Sequence, residues 1–156
     1  MNFDEVTINI TKERKDFIEQ LLFENEGYTE SEMGLFETSS EVHYFVTQYN
    51  WNDGLNPLKW LVNSELCDKG TALYVYWSFD VLYLLDPSDE MTAEINKQAK
   101  SLILELQNKY LSGFFRKNEI KYDPIEDGQI GKVDVYKIKK GIYKIPIEMT
   151  MANIVT

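Results

Sequence analysis

The sequence predicts a mainly α fold, in which a compact helical domain of about five helices ends in a small β-containing C-terminal appendage. Two observations favour helices: apolar residues recur every three or four positions up to Tyr110, and suitable cap residues precede these runs. The spacing is lost after Glu119, which predicts the appendage over residues 119–149, with an α+β fold as the alternative. The length of 156 residues predicts a single domain over residues 1–156.

The N-terminal part predicts a short strand and then a helix. Residues 6–10 have a strand-like pattern. Thr11 is a suitable N-cap for a helix that Gly27 ends. Its apolar stripe consists of Phe17, Ile18, Leu21 and Leu22. The polar, acidic residues 25–37 that follow predict a loop.

Three further helical segments follow this loop. Ser39 or Ser40 caps the second helix, whose inward positions are Val42, Phe45, Val46 and Tyr49. Asn56 as the cap and Pro57 at the first helical position begin a short third helix. Asp68 caps the fourth segment, where the density of β-branched and aromatic residues leaves a strand as the alternative.

The fifth helix has the clearest pattern. Ser88 caps it, and Asp89 and Glu90 place negative charge at its positive N-terminal end. Its repeating apolar positions are Met91, Ile95, Ala99, Leu102, Leu106 and Tyr110. Gly113 closes it, and residues 133–147 then predict a hairpin or an extended tail.

Composition excludes several classes of protein. The 26 acidic and 16 basic residues give a net charge of −10, which argues against binding of nucleic acid. Cys67, as the single cysteine, excludes a disulfide framework and is typical of a reducing compartment. There is no secretory signal and no apolar run of the roughly 20 residues that a membrane helix needs. We therefore expect a cytoplasmic protein without a membrane segment.

Acidic residues are concentrated in the N-terminal half. Between Lys15 and Lys59 there are 9 acidic residues and no basic one, and residues 95–156 instead contain 11 basic and 7 acidic residues. Such a field favours encounter with a basic protein, although acidic loops also serve solubility alone. The candidate partner-binding residues are Glu24, Glu26, Glu30, Glu32, Glu37, Glu41, Trp51 and Asp53. Trp51 lies among turn-forming residues, where it either packs over the core as a lid or meets a partner.

The sequence contains no recognisable catalytic set. Only His43 and Cys67 could form a nucleophile and base pair, and neither lies in a known signature. Motifs for zinc and for phosphate loops are absent, so we predict no catalytic residues, no metal and no cofactor. Asp123 and Asp127 have the spacing of a calcium loop, but Ile125 replaces its third position, which indicates a turn-rich loop.

Two linked motifs resemble a bacterial domain-of-unknown-function family. The first is a YNWNDG turn that includes Tyr49, Asn50 and Gly54, where the family has YNWDDG. The second is a run that contains Cys67, Asp68, Gly70, Thr71, Tyr76 and Trp77, as in the family pattern CDxGTALxxYW. The resemblance covers about residues 40–85 and implies a partner-binding protein, with relatives near secreted-toxin genes. Physically the motifs suit scaffolding, since Gly54 allows a turn and Gly70 permits close packing.

Three functional hypotheses follow. The leading one is a small acidic non-catalytic binding protein, namely an immunity protein that uses residues 24–41 to neutralise a basic toxin domain. The second is a carboxylate-dependent metal enzyme or hydrolase that uses Asp53 and Asp68 near His43. The third is a structural or regulatory oligomer, and the sequence does not determine the oligomeric state.

Overall fold

Helices account for all the regular secondary structure in the part of the chain that the structure describes. The structure is a computed structural model and describes residues 3–24, 27–88 and 93–154. The α-helices are α1 Phe3–Ile8, α2 Lys12–Phe23, α3 Glu30–Met33, α4 Ser39–Gln48, α5 Asn56–Val62, α6 Lys69–Ser78, α7 Val81–Leu84, α8 Glu94–Leu111 and α9 Lys132–Lys139. Two short 3₁₀ helices span Trp51–Asp53 and Ile147–Thr150. The mainly α prediction is therefore confirmed, but the described residues contain nine α-helices and not about five.

Helix α6 lies at the centre of the fold, in contact with α4, α7 and α8. Its Tyr76 and Trp77 are buried with their rings 5.0 Å apart at their centroids. Both polar tips are satisfied, because Tyr76 Oη accepts from Gln107 Nε2 at 2.8 Å and Trp77 Nε1 donates to the Met149 carbonyl at 2.7 Å. Asp68 caps α6 as predicted, accepting from the Gly70 amide at 2.8 Å. The strand alternative for this segment is wrong.

Two N-terminal segments differ from the sequence prediction. Residues 6–10, predicted as a strand, largely belong to α1, because the fully buried Val6 packs this helix against α4. Tertiary contact here outweighs the β propensity of the segment. The predicted loop contains α3, which begins with a capping box between Thr29 and Glu32. Met33 anchors this short helix in the core.

Three predicted caps are shifted. Helix α4 is capped by Thr38, whose hydroxyl accepts from the Glu41 amide at 3.2 Å, and not by either serine that follows. Asn56 is the first residue of α5, and its predecessor Leu55 makes no side-chain cap. Ser88 donates to Asp86 and does not cap α8, which starts at Glu94. The predicted contributions of Asp89, Glu90 and Met91 lie outside the described residues.

The predicted β-containing appendage over residues 119–149 is also wrong. It contains α9, at whose start the Asp134 carboxylate accepts from the Gly131 amide at 2.9 Å. Val133 and Val135 alternate as in a strand, and this spacing is misleading. Val133 is 67% exposed, and the buried residue of the helix is Ile138. Buried residues of this segment belong to the same core cluster as the helices before it, namely Ile120, Tyr122, Ile130, Ile138, Ile145 and Met149.

Candidate functional site

One cleft combines carboxylates, tyrosine rings and the single histidine. It has a volume of about 710 Å³, and we call it the acidic cleft. Four of its side chains are acidic and one is basic. Its lining residues are Glu5, His43, Thr47, Gln48, Tyr74, Lys121, Tyr122, Asp123, Glu126 and Asp127. The cleft therefore joins α1, α4 and α6 to the segment 121–127, which the sequence places far apart.

Asp68 fixes the start of the segment that forms the acidic wall. Besides capping α6, its carboxylate accepts from the Glu119 amide at 2.7 Å and from the Ile120 amide at 3.2 Å. Burial raises the pKa of Asp68, although these backbone donors favour the charged form. The backbone of Gly70 lies so close to the Ile120 carbonyl that an added Cβ would meet its oxygen at 1.7 Å. The expected close packing at Gly70 is thus confirmed.

Asn153 holds the same segment from the C-terminal side. Its Oδ1 accepts from the Tyr122 amide at 2.7 Å, and its Nδ2 donates to the Ile120 carbonyl at 2.8 Å. The side chains of Asp68 and Asn153 therefore place the backbone before Asp123 at a fixed position beside α6. Through Asp68 and Gly70, the second of the two motifs acts as a scaffold for the cleft wall.

His43 lines the acidic cleft and is buried, with 5% of its surface exposed. Its Nδ1 lies 2.9 Å from the hydroxyl of Thr71 on α6. Burial lowers the pKa of His43 to about 4, so the ring is neutral at pH 7. The ring also makes an edge contact with Tyr74 at a centroid distance of 5.8 Å.

Tyrosine rings and a tight turn position the cleft's carboxylates. Tyr74 and Tyr122 meet edge to face at 5.6 Å, and the Tyr122 hydroxyl donates to Asp127 at 2.6 Å. Asp123 accepts from the backbone amides of Ile125 and Glu126, which is the geometry of an Asx turn. The expected turn-rich loop is present, and it directs the three acids of residues 123–127 into the cleft.

The predicted docking acids have several different surroundings. Glu41 is 3% exposed and its carboxylate binds Arg14, with Nη2 at 2.6 Å and Nε at 3.1 Å. This hydrogen bond raises the pKa of Arg14. Glu37 lies 3.5 Å from the same guanidinium, and Glu32 is engaged in its capping box. Glu24 and Glu30 are exposed, whereas Glu26 lies outside the described residues.

The YNWNDG motif forms a compact turn. Tyr49 donates to the Gly54 carbonyl at 2.6 Å, and Asn50 accepts from the Asn52 amide at 3.1 Å. Gly54 has a φ of 100°, a conformation that favours glycine. The half-buried Trp51 packs edge-on against Phe79 at 4.9 Å, in the manner of a lid over the core. Asp53 is exposed beside it.

The residues of the enzyme hypothesis do not share one cleft. His43 lines the acidic cleft, but Asp53 and Asp68 are absent from its lining. Cys67 is buried, and burial raises the pKa of its thiol. Within residues 3–24, 27–88 and 93–154, no group of three or more His, Cys, Asp or Glu side chains could hold a metal ion.

Among the described residues, no ion pair joins the basic C-terminal region to the acidic N-terminal half. Lys132, Lys139 and Lys140 of the α9 region are exposed, and none forms an ion pair with a described residue. Lys140 instead lies over the Tyr136 ring at 5.4 Å.

Sequence reasoning missed most of the cleft. Of the residues in this wall, the sequence pattern selects only Asp123 and Asp127, as candidate calcium ligands, and it selects neither Glu5 nor Tyr122 nor Glu126. Calcium-like spacing was the one local signal near these residues, and it indicated a turn and not a binding wall. Nothing in the linear sequence places Glu5 beside residues 121–127.

Comparison with known proteins identifies one domain. None of the described helices is long and apolar enough to cross a membrane. No curated protein and no solved structure matches the chain. One family model matches residues 37–111, which include His43, Thr71 and Tyr74 but none of the cleft's carboxylates. This match identifies residues 37–111 as a DUF4274 domain, a domain of unknown function.

Proposed function

We propose that this protein is a non-catalytic binding protein for a basic partner protein, which docks at the acidic cleft. The observation that supports this proposal is the lining of the cleft, which combines four carboxylates, two tyrosine rings and a neutral histidine. Carboxylates attract cationic side chains, and tyrosine rings add contact area and cation–π attraction. Lys121 is the single basic side chain of the lining.

Charge outside the cleft favours the same kind of partner. The net charge of −10 steers a basic protein toward the molecule and acts within a Debye length of about 8 Å at physiological salt. Stable interfaces commonly bury about 1,600 Å² in total, so a partner would cover surface around the cleft as well. We expect the carboxylates of the cleft, which lie nearest the docked partner, to contribute most to both affinity and association rate, and the wider field to add a smaller increase in rate.

A narrower form of this proposal names a toxin domain as the partner. In that form the protein is an immunity protein, and its partner is a basic toxin domain that it neutralises. Acidic inhibitors of basic enzymes gain fast association from such charge complementarity. The net charge and the partner-binding character implied by the motif resemblance support this form.

The surroundings of the chemically interesting residues support binding over catalysis. Asp68 uses its carboxylate on three backbone amides, and His43 has a hydroxyl and no carboxylate as its partner. A general base normally needs a partner that orients it and a nucleophile within reach. Cys67, the strongest nucleophile by type, does not line the acidic cleft.

Two charge-matched variants test the docking site. The cleft variant carries Asp123→Asn, Glu126→Gln and Asp127→Asn, and the stretch variant carries Glu24→Gln, Glu30→Gln and Glu37→Gln. Each raises the net charge by three, from −10 to −7. Basic proteins would be captured from the source cells with the tagged wild type, and their association rates measured at low and high salt.

We expect the cleft variant to slow association about tenfold at low salt and the stretch variant to slow it about twofold. Equal slowing by both variants would show that net charge alone attracts the partner. A captured partner that binds the cleft variant as fast as the wild type would contradict docking at the cleft.

A further inference from the structure

The hydrogen bond between His43 and Thr71 determines which tautomer His43 adopts. Thr71 is 1% exposed, and its hydroxyl has no partner in the described part of the chain other than His43 Nδ1. If Nδ1 carried the proton, the buried hydroxyl hydrogen would lack an acceptor, which is unfavourable. The hydroxyl therefore donates to Nδ1, and the proton of the neutral ring is on Nε2.

The Nε2–H of His43 is thus the donor of the ring that is left without a partner among the described residues. Nδ1 is engaged with Thr71 on α6, and Nε2 makes no hydrogen bond to any described residue. Because the ring lines the cleft, this nitrogen is the polar atom that His43 offers to a ligand. Because Nε2 is not among the buried unpartnered atoms of the described residues, it is open to the cleft, where water or a ligand acceptor completes its hydrogen bonding.

His43 Nε2–H needs a hydrogen-bond acceptor from the ligand, whereas the carboxylates of the cleft need a cationic donor. Asp123, Glu126 and Asp127 lie on one short turn beside the Tyr74 and Tyr122 rings. A planar cation fits such surroundings best, because it stacks on a tyrosine face and donates two parallel hydrogen bonds to a carboxylate. A complete ligand therefore presents a cation to this turn and an acceptor to His43.

We infer that the acidic cleft recognises an arginine residue within an extended peptide segment of the basic partner. The guanidinium lies among the carboxylates and tyrosine rings, and a backbone carbonyl of the segment accepts from His43 Nε2–H. The volume of about 710 Å³ exceeds that of one side chain and accommodates the flanking backbone. This inference rests on the proposed function and names the chemistry that its docking site selects.

Small arginine analogues test this inference directly. The probes are N-acetyl-arginine methylamide, the corresponding lysine and citrulline amides, and agmatine, which has a guanidinium but no carbonyl. Binding would be followed by NMR, where the single histidine gives an unambiguous ring signal. We expect the arginine amide to shift the His43 signal, lysine and agmatine to bind about fivefold more weakly, and citrulline not to bind.

Two matched variants assign the binding to the cleft. Glu126→Gln should weaken the arginine amide about fivefold, whereas Glu24→Gln, an equal change of charge on exposed surface, should leave it unchanged. Equal binding of arginine and lysine amides would overturn the selectivity, and equal binding of agmatine would overturn the role of His43.

The inference and the proposed function fail in different ways. If the arginine amide does not bind but the cleft variant still loses the basic partner, the inference is wrong and the docking site stands. If the amide binds but the captured partner binds the cleft variant as fast as the wild type, the arginine site stands and docking of that partner at the cleft is wrong.

Discussion

Two acidic regions of this protein differ in what their charges do. In the stretch of residues 24–41, Glu41 and Glu37 bind Arg14, and Glu32 completes a capping box. In the acidic cleft, Asp123 and Asp127 also accept hydrogen bonds within the fold, but they line a cavity together with Glu126, and Lys121 forms no ion pair with a described residue. The density of acids along a sequence therefore does not locate the surface on which they act, because some of them stabilise the fold.

The largest loss of stability is expected at Gly70, where α6 meets the cleft wall at Ile120. Gly70→Ala would place a Cβ at 1.7 Å from the Ile120 carbonyl oxygen, so the wall must move. We expect a loss of about 4 kcal/mol in the free energy of unfolding, measured by urea denaturation. Gly27→Ala is the control, since no atom of the described residues beyond its chain neighbours lies within 4 Å of the added Cβ. A change of less than about 1 kcal/mol for Gly70→Ala would contradict the close approach.

A pH effect should distinguish the cleft from the acidic stretch, which contains no histidine. The pKa of His43 is lowered to about 4, while an unfolded chain has about 6.5. The unfolded state binds more protons between these values, so His43 contributes stability above pH 6.5 that is lost as pH falls toward 4. The shift corresponds to about 3 kcal/mol.

The measurement compares unfolding of the wild type with that of His43→Gln, which keeps a polar group near Thr71 and does not titrate. Carboxylates titrate in both proteins, so the difference between them isolates His43. An NMR titration of the single histidine provides the direct value. A midpoint near 6.5 in the folded protein would show that the ring is not desolvated.

A smaller loss in the free energy of unfolding is expected for a substitution in the acidic stretch, residues 24–41. Glu41→Ala removes a buried carboxylate and leaves the Arg14 side chain, which is 24% exposed, without its main partner. We expect a loss of about 2 kcal/mol, below the value for a fully buried pair because solvent reaches Arg14. Glu30→Ala, on an exposed position of the same stretch, should change stability by less than about 0.5 kcal/mol. Equal stabilities of the two variants would mean that Glu41 has no structural role.

Local signals predicted the scaffold better than the site. The Asp68 cap and the turn at Gly54 depend on neighbouring residues or on their own backbone, and both are found. The sequence also predicts close packing at Gly70, but the tertiary structure supplies its partner, the Ile120 carbonyl. The prediction of a hairpin or extended tail in place of α9 was wrong, because the alternating apolar residues 133 and 135 resemble a strand. The short helices α3 and α7 were missed, since four residues give too little periodicity.

By itself the sequence determined a helical chain, an acidic field and a motif suited to close packing, because caps, periodicity and net charge depend on residue types and short spacings. Only the tertiary structure decided that Asp68 reaches the amides of Glu119 and Ile120. It also brought Glu5 and residues 121–127 to the same cleft as His43. The physical reason is that contacts between distant segments arise from packing of the whole core, which no local pattern encodes.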